Sequence, residues 1–171
     1  MAVSDTGGTI YNPKGLDYQE LMRIKTSRKS VVNYADGNAK KGEEIFSLDV
    51  DILLPAATPD VIHKGNVDMV KARLVLQGAN IPVTKEAEET LQRKGILTVP
   101  DFIANAGGVI MAAMEYARKG EQDAFGAIAS RIKANTTLIL EKSENEKIVP
   151  RQAAVAIAKE RVLKAMKYRG Y

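Results

Sequence analysis

Three short apolar runs, each ending in small or polar residues, constrain this chain more than any other feature. DVDILLPAA (49–57), ARLVLQGAN (72–80) and ILTVP (96–100) have leucine, isoleucine and valine at their centres with little polar alternation. A strand with one wet face alternates apolar and polar residues. A strand covered on both faces does not, and that is the condition of a parallel sheet flanked by helices. The intervening segments carry helix signals. Thr58, Pro59 and Asp60 offer N-cap, first-turn proline and acidic first-turn chemistry. Thr84 with Ala87 and Glu88 starts a second helix, which Lys94 and Gly95 end with a basic residue and a glycine. Strand, helix, strand, helix predicts an α/β fold built on a doubly wound, Rossmann-like parallel sheet.

Around this middle, the signals are more local. MAVSD (1–5) opens as a strand closing on an acidic residue, and GGTIYNPKG (7–15) reads as a loop. A helix is predicted over 16–29, with Asp17 near its start and Leu21, Met22 and Ile24 on a buried side. Residues 31–34 read as a short strand and 37–42 as a turn. From Gly107 the pattern is helical throughout, over 109–119, 122–142 and 151–168, with Pro150 placed where a helix can begin. The expected organisation is a partial Rossmann-like domain over 1–106 followed by a helical layer over 107–171.

Composition excludes several classes. At 171 residues, 45% hydrophobic and 27% charged, the chain has the balance of an ordinary globular protein. With no cysteine and only His63, neither a disulfide framework nor a thiolate or histidine metal site is expected. No apolar run reaches the roughly 18 residues of a membrane span, and MAVSDTGG lacks a basic-then-apolar leader, so a cytoplasmic protein is expected. The net charge of +4 is spread, and Lys25, Arg28, Lys29, Lys40 and Lys41 have no interleaved aromatics. They read as solvated faces, with neither nucleic acid nor membrane as partner.

In an open parallel sheet, ligands bind beyond the carboxyl ends of the strands. The residues to examine are therefore Asp5, then Pro55, Ala56 and Ala57, then Gly78, Ala79 and Asn80, then residues 101–108. Small residues let a ring or ribose approach the backbone, and an asparagine offers both donor and acceptor. Each has a plain alternative. Asp5 accepts ribose hydroxyls or caps the loop after it. Asn80 binds a ligand or is a left-handed turn residue. Gly107 and Gly108 admit a ligand to a helix start or simply begin the helix. His63 reads as a surface residue, and Met111 and Met114 as helix packing. No nucleophile–base pair or carboxylate dyad is visible.

In order along the chain, VSDTGGTIYNPKGLD, DVDILLPAAT, QGANIPVTKEAEETLQRKGILTVPDFIANAGGV and PRQAAVAIAKERVLKAM resemble the second half of the glutamate/leucine/phenylalanine/valine dehydrogenase family, nearest its glutamate dehydrogenases. The likeness covers residues 2–166, and the PAA, GAN and PDxxANAGG series is its most specific part. It implies a coenzyme-binding domain of an oligomeric enzyme, a homo-oligomer by this reading. Such an enzyme deaminates an L-amino acid, glutamate first, using NAD or NADP. A branched-chain or aromatic substrate, or a non-catalytic binding fragment, are the alternatives. The resemblance places Asp5 near the adenine ribose, Ala57 beside the nicotinamide ribose with Ala56 also counted as coenzyme-binding, and Asn80 and Asn105 at the nicotinamide and substrate side. It puts Gly107, Gly108 and Ala112 along the substrate cleft, with Ala112 where glutamate-specific members carry a serine. No GxGxxG occurs in the 171 residues, and no catalytic residue is expected among them, so the chain alone is expected to be inactive. The fingerprint and the first strand are expected upstream. The sheet order would then leave a gap beside residues 51–55, to be closed by residues 1–5, filled by a second chain, or left with the N-terminal strands disordered.

Overall fold

In a computed structural model that describes residues 1–170, the chain divides into two compact units, Met1–Val50 with Asp68–Ala72 and Asp51–Val67 with Arg73–Tyr171. The first is built on an antiparallel sheet, β1 (Ala2–Asp5), β2 (Gly8–Tyr11) and β3 (Asn38–Lys40), paired in that order. Much of the expected loop over 7–15 is therefore strand, and β3 lies inside the expected turn over 37–42. Thr9, Ile10 and Tyr11 are β-branched and aromatic, and they pair on both sides once Thr6 and Gly7 reverse the chain. Gly8 sits at φ 135°, and a Cβ there would come within 2.8 Å of the Lys40 carbonyl oxygen.

Helix α1 (Tyr18–Arg28) starts where Asp17 accepts the Glu20 amide and ends at Lys29 in the left-handed region. Ile24 is buried and Leu21 partly so, but Met22 is exposed, so the buried side is narrower than expected. Residues 31–34 are not a strand. Val31–Asn33 form a 3-10 turn, with Tyr34 N–H donating to Val31 C=O at 3.1 Å. A three-residue repeat puts Val31 and Tyr34 on one side, where they join Ile10 and Ile24 in the core of this unit.

The three apolar runs form the second unit's parallel sheet, in the order β4 (Ile52–Leu53), β5 (Leu74–Leu76), β6 (Leu97–Val99). Residues 1–5 do not pair with β4, whose outer edge has no partner strand among the described residues. Helix α2 (Lys85–Arg93) begins at Thr84, whose hydroxyl accepts the Ala87 amide. It ends with Gly95 N–H donating to Gln92 C=O and Ile96 N–H to Leu91 C=O, over buried Leu91 and Ile96. That pair of bonds is a Schellman stop, which needs the φ of 74° that Gly95 supplies.

The cap signal at Thr58–Asp60 does not start a helix. Asp60 N–H donates to Ile81 C=O and Ile62 N–H to Pro82 C=O, so this segment is drawn into pairing with 81–84 instead. A 3-10 turn at Val67–Met69 is the only helical piece between β4 and β5. After β6 come α3 (Asp101–Ala104), α4 (Gly107–Tyr116), α5 (Glu121–Glu146) and α6 (Pro150–Tyr168), close to the helices expected there. Helices α5 and α6 pack through Ile139, Ala153, Ala154 and Ile157. Among the described residues no helix is long and apolar enough to cross a membrane. Tyr171, the end of the helical range expected over 107–171, lies outside the described residues.

Candidate functional site

At the carboxyl ends of β4 and β5 the backbone is tied together. Gly78 and Ala79 both donate their amides to the Pro55 carbonyl at 3.0 Å. Gly78 lies so close to the β4 end that a Cβ on it would sit 3.0 Å from Ala56 Cβ and 3.3 Å from Leu54 Cδ1. This contact leaves Ala56, Ala57 and Asn80 at the surface of the strand ends.

Asn80 and Asn105 meet. Asn105 Nδ2 donates to Asn80 Oδ1 at 2.7 Å, joining two residues 25 positions apart that the sequence put at one site. With its oxygen engaged, Asn80 keeps its own NH2 to donate outward. The left-handed turn residue is Ile81, at φ 49°, and not Asn80. Asn105 follows α3, its amide bonded to Asp101 C=O at 2.8 Å. Gly107 and Gly108 begin α4, with Gly108 exposed and open space around the position of its missing Cβ. Ala112 lies further along α4, also exposed.

Behind the asparagine pair is a polar cluster that sequence reading missed. Gln77, Glu88 and Asp101 are buried, and Arg151 from the start of α6 reaches all three. Burial alone would raise the Asp101 carboxyl. The Ile81 amide and the Arg151 guanidinium outweigh it and hold its pKa below the ordinary value. Arg151 is shifted upward, its burial being outweighed by Glu88 and Asp101. Glu88 offered the one available signal, because it shares a helix face with Ala87 and Leu91 and a charge there needs a partner.

In the first unit, Asp5 is engaged on both oxygens. Oδ1 accepts the Gly7 amide at 2.8 Å and the Ser30 hydroxyl at 3.0 Å. Oδ2 accepts Lys25 Nζ at 2.5 Å and the Val31 amide at 3.0 Å. Burial would raise this carboxyl, but the Lys25 ammonium, the two amides and the hydroxyl bring it from 3.8 down to about 2. The loop-capping role of Asp5 is thus present, with its in-plane lone pairs filled. His63 is an exposed turn residue whose Nδ1 accepts the Gly65 amide. Among the described residues no three His, Cys, Asp or Glu side chains gather as a metal site.

Where the parallel strands end, Asn80 thus has its NH2 left to donate, and Ala56 and Ala57 are small and exposed, a chemistry that suits a polar, flat ligand such as a nicotinamide. The sequence pattern of the Glutamate/Leucine/Phenylalanine/Valine dehydrogenase family matches residues 1–170. The glutamate dehydrogenase of Thermotoga maritima is 42% identical over 176 residues, covering 99% of this chain and 42% of the relative. The NADP-specific glutamate dehydrogenase of Saccharolobus shibatae is 37% identical, covering 99% of this chain and 42% of its own length. The hetero-hexameric glutamate dehydrogenase of Thermus thermophilus, solved with leucine bound, superimposes with a TM-score of 0.84 at 26% identity. That likeness covers 99% of this chain and 41% of the other. The chain thus spans less than half the length of each of these proteins.

Proposed function

The chain belongs to the Glutamate/Leucine/Phenylalanine/Valine dehydrogenase family, and we propose that it is the coenzyme-binding part of an NAD(P)-dependent amino-acid dehydrogenase, with L-glutamate the substrate. The observation that carries this reading is the Asn80–Asn105 hydrogen bond at the strand ends. It pre-sets two amides, one to donate to the nicotinamide carboxamide and one toward the substrate. Bound coenzyme supplies the hydride acceptor for oxidation of the amino acid. Ala56 and Ala57 let the adjoining ribose lie against the backbone, and Gly107 and Gly108 open the substrate side of the cleft. Asp5 serves the adenine ribose by exchanging one of its present partners, Ser30 or Lys25, for a ribose hydroxyl. Residues 107–171 act as the layer that meets the substrate domain, and the enzyme works as an oligomer, as the Thermus neighbour's hexamer supports.

A second reading within the family rests on Ala112, which is apolar and exposed on α4. A methyl there suits an aliphatic or aromatic substrate. Glutamate is favoured because the relatives named above are glutamate dehydrogenases.

Titration of the isotope-labelled chain with NADH, NADPH or nicotinamide mononucleotide tests the proposal. Asn80 and Asn105 side-chain amides are expected to shift, and Asn80→Ala to abolish the shift at Asn105. With no glycine fingerprint in these residues to hold the phosphates, the dissociation constant is expected at about a millimolar or weaker. Absence of any shift at either asparagine up to about ten times that concentration would overturn the reading.

A further inference from the structure

Arg151 touches neither asparagine, yet we infer that it is the positioning residue for the Asn80–Asn105 pair. The functional half of this inference rests on the reading that the pair meets the nicotinamide.

The guanidinium gathers three elements. Its Nε donates to Glu88 Oε2 of α2 at 2.7 Å, and its Nη2 donates to Asp101 Oδ1 of α3 at 2.8 Å and to Gln77 Oε1, just beyond β5, at 3.0 Å. Gln77 Nε2 closes the ring on Glu88 Oε1 at 2.5 Å, and the Phe102 ring lies 5.5 Å from the guanidinium carbon. The Glu88 and Asp101 side chains are only 3% and 8% exposed. Two buried carboxylates thus share this one cation, and removing it would leave both without their charge partner, which is strongly destabilising for buried groups.

The consequence reaches the site through Asp101. Its second oxygen accepts the Ile81 amide at 2.8 Å. Ile81 is β-branched, stands at φ 49° and is 58% exposed. Little packing holds it in a conformation that isoleucine rarely adopts. What holds it are two hydrogen bonds, Asp101 on its N–H and the Asp60 amide on its C=O at 2.9 Å. Asn80 is the residue before it. On the other arm, Asp101 C=O accepts the Asn105 amide and closes α3. The Asp101 side chain therefore sets the turn that carries Asn80, its main chain anchors Asn105, and Arg151 holds the side chain. Released from Arg151, Asp101 swings, Ile81 relaxes to negative φ, and Asn80 turns away from Asn105.

Amide exchange on the ligand-free chain tests this directly, comparing the parent with Arg151→Lys and Arg151→Met. Lysine keeps the charge and folds the cluster but cannot fork between two carboxylates. Exchange at the Ile81 amide and at the Asn105 side-chain amide is expected to quicken at least about tenfold in Arg151→Lys, with Val75 and Ile139 amides unchanged. Arg151→Met should do more, and where it fails to fold the lysine variant decides. Unchanged exchange at Ile81 and Asn105, or equal quickening at Ile81, Val75 and Ile139, overturns the inference, the latter showing a general loss of stability. Nicotinamide mononucleotide then separates the two ideas. A shift at Asn80 in the parent that is lost in Arg151→Lys supports the functional half. No shift in the parent overturns that half and the coenzyme reading, and leaves the exchange result to decide the positioning itself.

Discussion

Replacing Asp5 with alanine should cost the N-terminal unit about 2–4 kcal/mol, most of it from one amide. Asp5 accepts four hydrogen bonds, from Gly7, Ser30, Lys25 and Val31. Gly7 is exposed and Lys25 is 43% exposed, so water replaces the carboxylate for both at little cost. The Val31 amide belongs to a buried residue of the unit's core, and losing its acceptor costs about 1–3 kcal/mol. The Ser30 bond to a charged acceptor supplies the remainder. The same carboxylate gives a pH signature. Its pKa is about 2 in the folded chain against 3.8 ordinarily. Its stabilisation is therefore complete above about pH 4 and lost as pH falls toward 2. Screening at the half-exposed Lys25 brings the full shift down to about 1–2 kcal/mol. Urea unfolding monitored at Tyr34, whose buried hydroxyl accepts the Asp17 amide, reads this unit specifically. Asp5→Asn should remove the Asp5 part of the acid-side loss. A penalty for Asp5→Ala under about 0.5 kcal/mol, or the same pH 4-to-2 slope in parent and Asp5→Asn, would refute the argument.

Gly78→Ala should destabilise the second unit by about 1–2 kcal/mol, because the new methyl must push Ala56 and Leu54 at the end of β4; unaltered thermal unfolding would show that the strand end yields freely. Ile52 and Leu54 flank the unpaired edge of β4 and are 58% and 56% exposed. The chain is therefore expected to self-associate at micromolar concentration, and Leu54→Lys to reduce this in light scattering; a monomeric parent would contradict it. In the complete enzyme, Ala112→Ser should raise preference for glutamate over leucine by about 1.5–3 kcal/mol in kcat/KM, one hydroxyl bond to a carboxylate; an unchanged ratio would remove Ala112 from the substrate site. The 171-residue chain alone is expected to give no NAD(P)H-forming turnover with glutamate or leucine, and activity sensitive to Asn80→Ala would disprove that.

What could be read from the sequence was what local chemistry decides. DILLP, ARLVLQ and ILTVP pointed to a parallel sheet because continuous apolar runs suit strands flanked by helices. The expected burial on both faces is not met, since Ile52, Leu54 and Leu97 are exposed on one side. Thr84 and Gly95 bracketed α2 because a cap and a left-handed glycine act within one turn. The same chemistry misled at Thr58–Asp60, where pairing with residues 81–84 outweighed a sound cap signal. It misleads again at 31–34, where a short apolar segment that suits a strand forms a 3-10 turn with Val31 and Tyr34 buried on one side. The family resemblance puts Asn80 and Asn105 at one site, but their hydrogen bond, and the Ile81 amide bond to Asp101 beside it, join residues 25 and 20 positions apart, which no local pattern announces. The Arg151 cluster was out of reach for the same reason, since its members come from four elements.

The spacing of that cluster also fixes an order of assembly. Glu88, Gln77 and Asp101 stand 63, 74 and 50 residues before the arginine that neutralises them. A chain growing from its N-terminus can close the β1–β2 hairpin within microseconds of its two-residue turn emerging. The parallel strands can collapse next, but two carboxylates at their margin stay hydrated while no cation is there to meet them. Docking of α6 is therefore what seals the nascent sheet. A nascent chain with residues up to Asp101 already outside the ribosome, but α6 not yet released, would hold that sheet still open to water, the species a chaperone would meet.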